Sequence, residues 1–370
     1  MDVTRIELRS FRNHEQLTID LAPGLNFLVG PNGSGKTSVV EALHVGCTGR
    51  SFRTSTEREM VRFGAALARV VLAYRGEAGA HLIEVVLQPG TPKLIRRDGT
   101  TVSALKPDPA IPRLCVFAPD HLELVKGAAG VRRAHLDELV MALWPARRAA
   151  RLAYAKALSQ RNSLLGRVRA GSASESALGA WDRELARHGI ELMRHRSEAV
   201  GLLTDHFTAH ADGLGLPGPG TVTYRPRSRA TEPAELEEEL RDRLESDLER
   251  GFTTHGPHRD DIVLRSADRD LRRYGSQGQQ RLALLSLLLS ERDAMREAHG
   301  ALPVLLLDDV MSELDPTRRR SLLDLLSAAG QTLITTADES VAPLALGETV
   351  HLQAPGRGQS DSSQPVETVA

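Results

Sequence analysis

Cysteine is nearly absent: Cys47 and Cys115 are the two in 370 residues. That is too few for a disulfide framework, and a reducing cytoplasm is the compartment expected. Aromatic residues make up 4% of the chain. Platforms for stacking nucleobases are therefore scarce, and any nucleic acid is expected to be recognised by its duplex backbone rather than read as a single strand. No run of about 18 apolar residues occurs, and the amino-terminal MDVTRIELRSFRNHE lacks the apolar centre of a signal peptide, so neither export nor a membrane span is expected. Charge of one sign is missing as well. Lys+Arg 47 against Asp+Glu 48 gives a net charge of -1, so no global field draws the molecule to nucleic acid and a DNA surface would have to be local. What is present is a chain that is 41% apolar and long enough for two domains, or one large domain with an insertion.

Alternation in VTRIELRSF and EQLTIDL predicts two strands joined by a polar turn at Arg12 to His14, and GLNFLVG predicts a buried strand. The segment KTSVVEALHVG reads as a helix, followed by strand-like ARVVLAYR, HLIEVVLQ and RLCVFAP. From Lys126 the pattern turns helical, with Leu136, Leu139, Val140 and Leu143 on one face and a break at Pro145. A further helix carries Leu178, Trp181, Leu185, His188 and Leu192. The loop GLGLPGPG precedes TVTYRP, and the acidic TEPAELEEELRDRLESDLER reads as one solvated helix. Residues 356–370 have the composition of a disordered tail.

Between the strand GLNFLVG and the helix lies GPNGSGKT, Gly30, Pro31, Asn32, Gly33, Ser34, Gly35, Lys36 and Thr37, which satisfies the phosphate-loop pattern in its required context. Glycines let backbone N–H groups face the phosphates of ATP, Lys36 reaches the β- and γ-phosphates, and the Thr37 hydroxyl ligates Mg²⁺. The partner carboxylate belongs at the end of a neighbouring buried strand. VLLLDDV supplies it: apolar residues buried on both faces, then Asp308 for the metal and Asp309 to orient or deprotonate the attacking water. Two adjacent carboxylates at a strand tip are costly without a cation.

A second anion-binding pattern stands about 240 residues downstream, in YGSQGQQRLALLSLLLSERD. Ser276 and Gln279 form an S-x-x-Q capping box ahead of an apolar helix. A capping box alone does not require Gly278 or the polar run through Arg281, and such an N-terminus, so far from the first loop, fits a γ-phosphate bound by another subunit.

Walker A, SQGQ, LLLDDV and SELD follow the order of ABC-type ATPases. With SFRT at 51–54, FAPDHLELVKG at 117–127, GPHRDD at 256–261 and SQGQQR at 276–281, the chain resembles the RecF family of bacterial recombinational-repair ATPases along nearly its whole length. The resemblance implies an α/β fold: a P-loop ABC-type, SMC-like ATPase head of two lobes with mixed sheets and an inserted α-helical arm. The boundaries expected are 1–125 and 251–355 for the head, 126–250 for the arm and 356–370 for the tail. It implies Mg-ATP binding, ATP-dependent homodimerisation, DNA binding at duplex, gapped or ds/ss-junction sites, slow hydrolysis, and work with RecO and RecR to place RecA. It also implies contact of the partner's γ-phosphate by Ser276, Gln277 and Gly278, within a signature that includes Gln279, and a D-loop residue, Asp315, at the dimer interface. An ABC head of another repair or transport complex is the alternative. Transporter heads carry Glu where Asp309 stands and His where Thr335 or Thr336 stands, departures that point to weak hydrolysis. Gln88 is a poor Q-loop residue, and APDHL at 118–122 stands in for it, with Asp120 and His121 where the family often reads Glu-Asp.

For DNA, residues 126–170 hold Lys126, Arg132, Arg133, Arg147, Arg148, Arg151, Lys156, Arg161, Arg167 and Arg169 against Asp137 and Glu138, a difference of +8. Such a face neutralises phosphates; pairing with the acidic 231–250 segment is the bland alternative. Arg50 and Arg53 in GRSFR are a second candidate. HGPHRDD gathers His255, His258, Asp260 and Asp261, a spacing that fits no common zinc pattern, and a loop is expected there.

Overall fold

In a computed structural model, residues 1–76, 79–105, 108, 110–327, 330–341 and 347–353 are described. The tail read as disordered lies outside them. The chain divides into two compact units, Met1–Asp120 with Met295–Ala370, and His121–Ala294.

The first unit holds two sheets. One is antiparallel, in the order His14–Asp20, Asp2–Phe11, Ala68–Gly76, Gly79–Leu87, Leu94–Arg97, Thr100–Val102. Simple alternation along Asp2–Phe11 would place Val3 and Arg5 on one face. A register shift between Val3 and Arg5 instead sends Val3, Ile6 and Leu8 inward and leaves Arg5 and Arg9 outside. The other sheet is parallel, in the order Glu348–His351, Leu25–Val29, Thr332–Thr336, Val304–Leu307, Leu114–Phe117. Its three central strands are buried at every residue, as their apolar and Thr-rich runs require, and the one side-chain amide among them, Asn26, is satisfied by the Ala22 backbone. Parallel pairing brings the carboxyl ends of these strands to one edge, which is where ligands bind in open α/β sheets. The helix Lys36–Thr48 packs Val39, Val40 and Leu43 into a core shared with Leu28, Leu72 and Ile83. It approaches so closely at Gly46 that an added Cβ would meet Leu72 at 2.2 Å. Both cysteines are buried and neither is in a disulfide, and burial pushes the Cys47 thiol up to about 12.

The second unit is built on the helices Ala129–Leu143, Arg148–Arg169 and Leu178–Gly213, with a three-stranded antiparallel sheet of Arg269–Asp270, Asp261–Ser266 and Gly220–Arg225. The acidic segment is two helices, Pro233–Asp242 and Leu244–Arg250, rather than one, and it is not uniformly solvated: Leu236, Leu240 and Asp247 are buried. Asp247 lies inside because it pairs with Arg161 at 2.6 Å. Arg161 is 0% exposed and also binds Asp182 at 2.6 Å and the Thr253 hydroxyl at 2.8 Å, so it fastens two long helices to the acidic segment. It therefore leaves the basic face on which its charge alone would place it. No helix among the described residues is long and apolar enough to cross a membrane.

Candidate nucleotide site

The turn from Val29 into the helix at Lys36 needs left-handed backbone at Gly33 (φ 84°) and Gly35 (φ 98°). The hairpin turn of the first two strands buttresses it: Asn13 donates to the Gly33 carbonyl at 3.2 Å, and the His14 ring lies 3.1 Å from the Gly35 carbonyl. A Cβ at Gly35 would reach the His14 ring at 2.2 Å and Asn13 Oδ1 at 2.6 Å, so glycine is required twice over. No side chain caps this helix, and its first N–H groups are left for an anion.

Lys36 is buried, with Nζ donating to the carbonyls of Gly30 at 2.6 Å and Pro31 at 3.1 Å. Burial lowers its pKa, while the charges of Asp309 and Asp308 act the other way. Asp308, at the end of Val304–Leu307, accepts from the Thr335 hydroxyl at 2.7 Å and bonds the Thr37 side chain. Its carboxyl is pushed up by burial and held back by those two hydroxyls and by Arg53. Asp309 adopts φ 52°, a left-handed position unusual for a side-chain-bearing residue, and its N–H donates to Thr335 Oγ1 at 2.9 Å. Asp309 Oδ1 and Ser34 Oγ are buried with no hydrogen-bond partner. Orphaned acceptors, an uncapped helix start and a Thr–Asp pair fit a Mg²⁺-bound triphosphate, with Thr37 and Asp308 as the groups able to hold the ion.

Lys36, Thr37, Asp308 and Asp309 wall a cleft of about 1080 Å³ together with Arg12, Arg53 and the fully exposed Phe63. The structure thus brings Gly33, Gly35, Lys36, Thr37, Asp308 and Asp309 to one place, as the sequence predicts. Two participants escaped that reading. Thr335, one of two threonines considered for a transporter His, bridges both aspartates. Glu41 lies in the P-loop helix, fully buried, and binds Arg12, Ser51 and Arg53. An acidic residue in the otherwise apolar VVEALHV, four after Thr37, was the available signal.

In the second unit the capping box forms: Ser276 N–H donates to Gln279 Oε1 at 2.8 Å and Gln279 N–H to Ser276 Oγ at 3.3 Å, opening the helix Gln277–His299. Ser276 and Gln277 are exposed. Asp315 caps the helix Pro316–Ser327 through the Arg318 N–H at 3.0 Å and pairs with the Arg318 side chain at 3.3 Å. Gln88 is exposed, its carbonyl holding Thr91. Asp120 and His121 lie on the single turn Pro119–Leu122.

The candidate DNA residues separate. Arg132 is 4% exposed and bidentate to Asp261 at 2.6 and 2.9 Å, which removes it from any DNA-facing set. Arg133 donates to the Asp260 carbonyl at 2.7 Å, Arg151 pairs with Asp137 at 3.1 Å, and Arg147 pairs with Glu198 and covers Trp144. Arg53 belongs to the cleft wall. Arg50, Arg148, Lys156, Arg167 and Arg169 stand exposed. The HGPHRDD loop is an internal latch. Asp260 receives Arg196 at 3.2 Å, the Arg227 N–H at 2.7 Å and the Tyr224 hydroxyl; His255 meets Glu239 at 2.6 Å; His258 meets Tyr154 at 2.8 Å. No group of three or more His, Cys, Asp or Glu side chains able to hold a metal ion occurs among the described residues.

The AAA domain family model matches residues 5–103. The DNA replication and repair protein RecF of Herpetosiphon aurantiacus is 37% identical over 363 residues, covering 91% of this chain and 94% of that protein. Its counterpart from Streptomyces avermitilis is 34% identical over 363 residues, 94% of this chain and 97% of that one. Among solved structures, the recombination mediator protein RecF with ATP, of the RecFOR pathway, matches with a TM-score of 0.83 at 29% identity over 95% of each chain. The Smc head domain of Pyrococcus furiosus, solved with the C-terminal domain of ScpA, matches with a TM-score of 0.56 at 16% identity over 94% of this chain and 92% of that one, a likeness of fold. On these relatives and this α/β, ABC-type head architecture, the chain belongs to the RecF family of DNA replication and repair proteins.

Proposed function

We propose that the chain is an ATP-gated DNA clamp of recombinational repair and a weak, DNA-stimulated ATPase. The observation that carries the ATPase is the cleft in which Lys36, Thr37, Asp308 and Asp309, with its unpartnered Oδ1, converge. Lys36 would neutralise the β- and γ-phosphates, and Thr37 with Asp308 would hold Mg²⁺, whose charge supports the transferring phosphoryl oxygens. Asp309, its backbone fixed by Thr335, would orient the attacking water and accept its proton. The signature, exposed at Ser276 and Gln277 and half-buried at Gly278 and Gln279, fits capture of a γ-phosphate held by a second copy. A homodimer closed by ATP would clamp duplex, gapped or ds/ss-junction DNA, and slow hydrolysis would reset it. Asp315 is assigned to that dimer interface, with the head at 1–125 and 251–355 and the arm at 126–250. In the first unit DNA contact would draw on Arg50, and in the second, separately, on Arg148, with Arg133, Arg147 and Arg151 as flanking charge. Solved RecF belongs to the RecFOR pathway, so RecR and RecO are the protein partners proposed, with RecA acting after them on cytoplasmic, nucleoid-associated DNA.

Fluorescence anisotropy of a labelled duplex tests the gate. Wild type should bind more tightly with Mg-ATP than without, and Lys36→Ala should lose the difference. Equal binding in every sample would overturn the gate. Ser276→Arg should keep wild-type nucleotide affinity and abolish the ATP-dependent dimer in sedimentation velocity; an ATP-dependent dimer in that variant would remove the signature assignment.

A further inference from the structure

The carboxylate of Glu41 lies one helical turn beyond Thr37, so both sit on the same face of the P-loop helix. All of its acceptor sites are used. Oε1 accepts from Arg12 Nη2 and Ser51 Oγ, both at 2.6 Å; Oε2 accepts from Arg12 Nε at 2.8 Å and Arg53 Nη1 at 3.2 Å. Two guanidinium groups thus share one fully buried carboxylate, so this cluster holds one more guanidinium than carboxylate. Partly buried guanidinium groups that outnumber their carboxylate are suited to hold an anion.

Neither arginine is placed there by default. Arg12 adopts φ 53°, a left-handed position that disfavours a long side chain, and its third bond, Nη1 to the Glu59 carbonyl at 2.6 Å, fixes the guanidinium plane. Arg53 keeps a side chain 39% exposed, holds Glu41 by a single bond, and its charge is felt at Asp308. Ser51, held by Glu41, accepts the N–H groups of Arg53 at 2.9 Å and Thr54 at 3.1 Å, so the same carboxylate shapes the backbone that carries Arg53.

We propose that Glu41 is a positioning residue that holds Arg12 and Arg53 as a paired cationic wall for the terminal phosphate of the nucleotide, and so sets the preference for a triphosphate over a diphosphate. The inference rests on the nucleotide reading of this cleft. Arg53 lines the same cleft as Lys36, Thr37 and Asp308, the groups assigned to the terminal phosphates and their metal, so its loss should be felt by ATP more than by ADP.

Full-length wild type, Glu41→Gln, Arg53→Gln and the double variant are titrated with fluorescent Mg-ATP and Mg-ADP analogues, and each is melted without nucleotide. Arg53→Gln should weaken Mg-ATP by about tenfold and Mg-ADP by less than about threefold, the scale of one charge-assisted hydrogen bond. Glu41→Gln should reproduce that change in ratio, and the double variant should be no weaker than the worse single, because one wall is lost once. A lower melting temperature with an unchanged ATP-to-ADP ratio would mean that Glu41 is structural and would overturn the proposal. Arg53→Gln removes one surface-reaching bond and is the variant certain to report should Glu41→Gln fail to fold; an unchanged ratio in Arg53→Gln is by itself overturning. Wild type that binds neither nucleotide would defeat the cleft assignment itself.

Discussion

Asp309→Asn is expected to slow ATP turnover by about 10²- to 10³-fold while changing Mg-ATP affinity by less than about threefold, the range for loss of a positioned general base. Asparagine is the right replacement because it keeps the shape of the side chain and tolerates the left-handed backbone at φ 52°. The hydrogen bond from the residue 309 N–H to Thr335 Oγ1 at 2.9 Å is a backbone bond and survives the change. What disappears is the charge on Oδ1, the oxygen that is buried and unpartnered. Asp308 stays, with its Thr335 bond at 2.7 Å, so the group assigned to the metal is untouched. Phosphate release under steady-state and single-turnover conditions, alongside equilibrium titration, separates the two effects. Turnover within a factor of three of wild type would show that Asp309 does no proton chemistry and that Asp308 or an unaided water suffices.

Arg161→Ala is expected to produce the largest loss of stability, about 3–5 kcal/mol, because it leaves two buried carboxylates without their cation. Asp247 is fully buried and Asp182 nearly so. Asp247 keeps its bonds from the Thr254 N–H at 2.9 Å and hydroxyl at 2.7 Å, but neither supplies positive charge. Arg161 also anchors the loop at Thr253, which Asn162 holds from the neighbouring position at 2.8 Å. Replacement therefore loosens the contact of Arg148–Arg169 with both Leu178–Gly213 and Leu244–Arg250. Urea unfolding monitored by far-ultraviolet circular dichroism reads the loss as a lower midpoint. A midpoint shifted by less than the equivalent of about 1 kcal/mol would mean that the site relaxes to admit water and that the triad is a surface pair in effect.

The contrast between these two sites marks what could be read from residues alone. Leu25–Val29, Val304–Leu307 and the phosphate loop are legible because strands buried on both faces must be predominantly apolar and because a phosphate cradle needs glycine at fixed places. The Ser276–Gln279 box is legible for the same local reason: both partners lie within four residues. Arg161 is not. Its charge and helical setting are those of a solvated residue, and only the approach of Asp182 and Asp247, distant in the chain, makes it interior. The break at Arg243 between the acidic helices, the register shift beside Val3 and the bridging by Thr335 are likewise settled by tertiary pairing. Glu41 stands between the two cases, since its place in an apolar helix was visible and its partners were not.

The strand that leads into the phosphate loop has a further consequence, for synthesis on the ribosome. Leu25–Val29 is flanked in its sheet by Thr332–Thr336 on one side and Glu348–His351 on the other, so both neighbours emerge about 300 residues after it. Until then a largely apolar strand has two open edges, the kind of segment that recruits unrelated strands. Contacts so remote in the chain also make assembly slow. A nascent chain of this protein is therefore expected to depend on chaperone holding until its last strands leave the exit tunnel, and premature termination anywhere before Thr332 should yield an aggregate rather than a partly active ATPase.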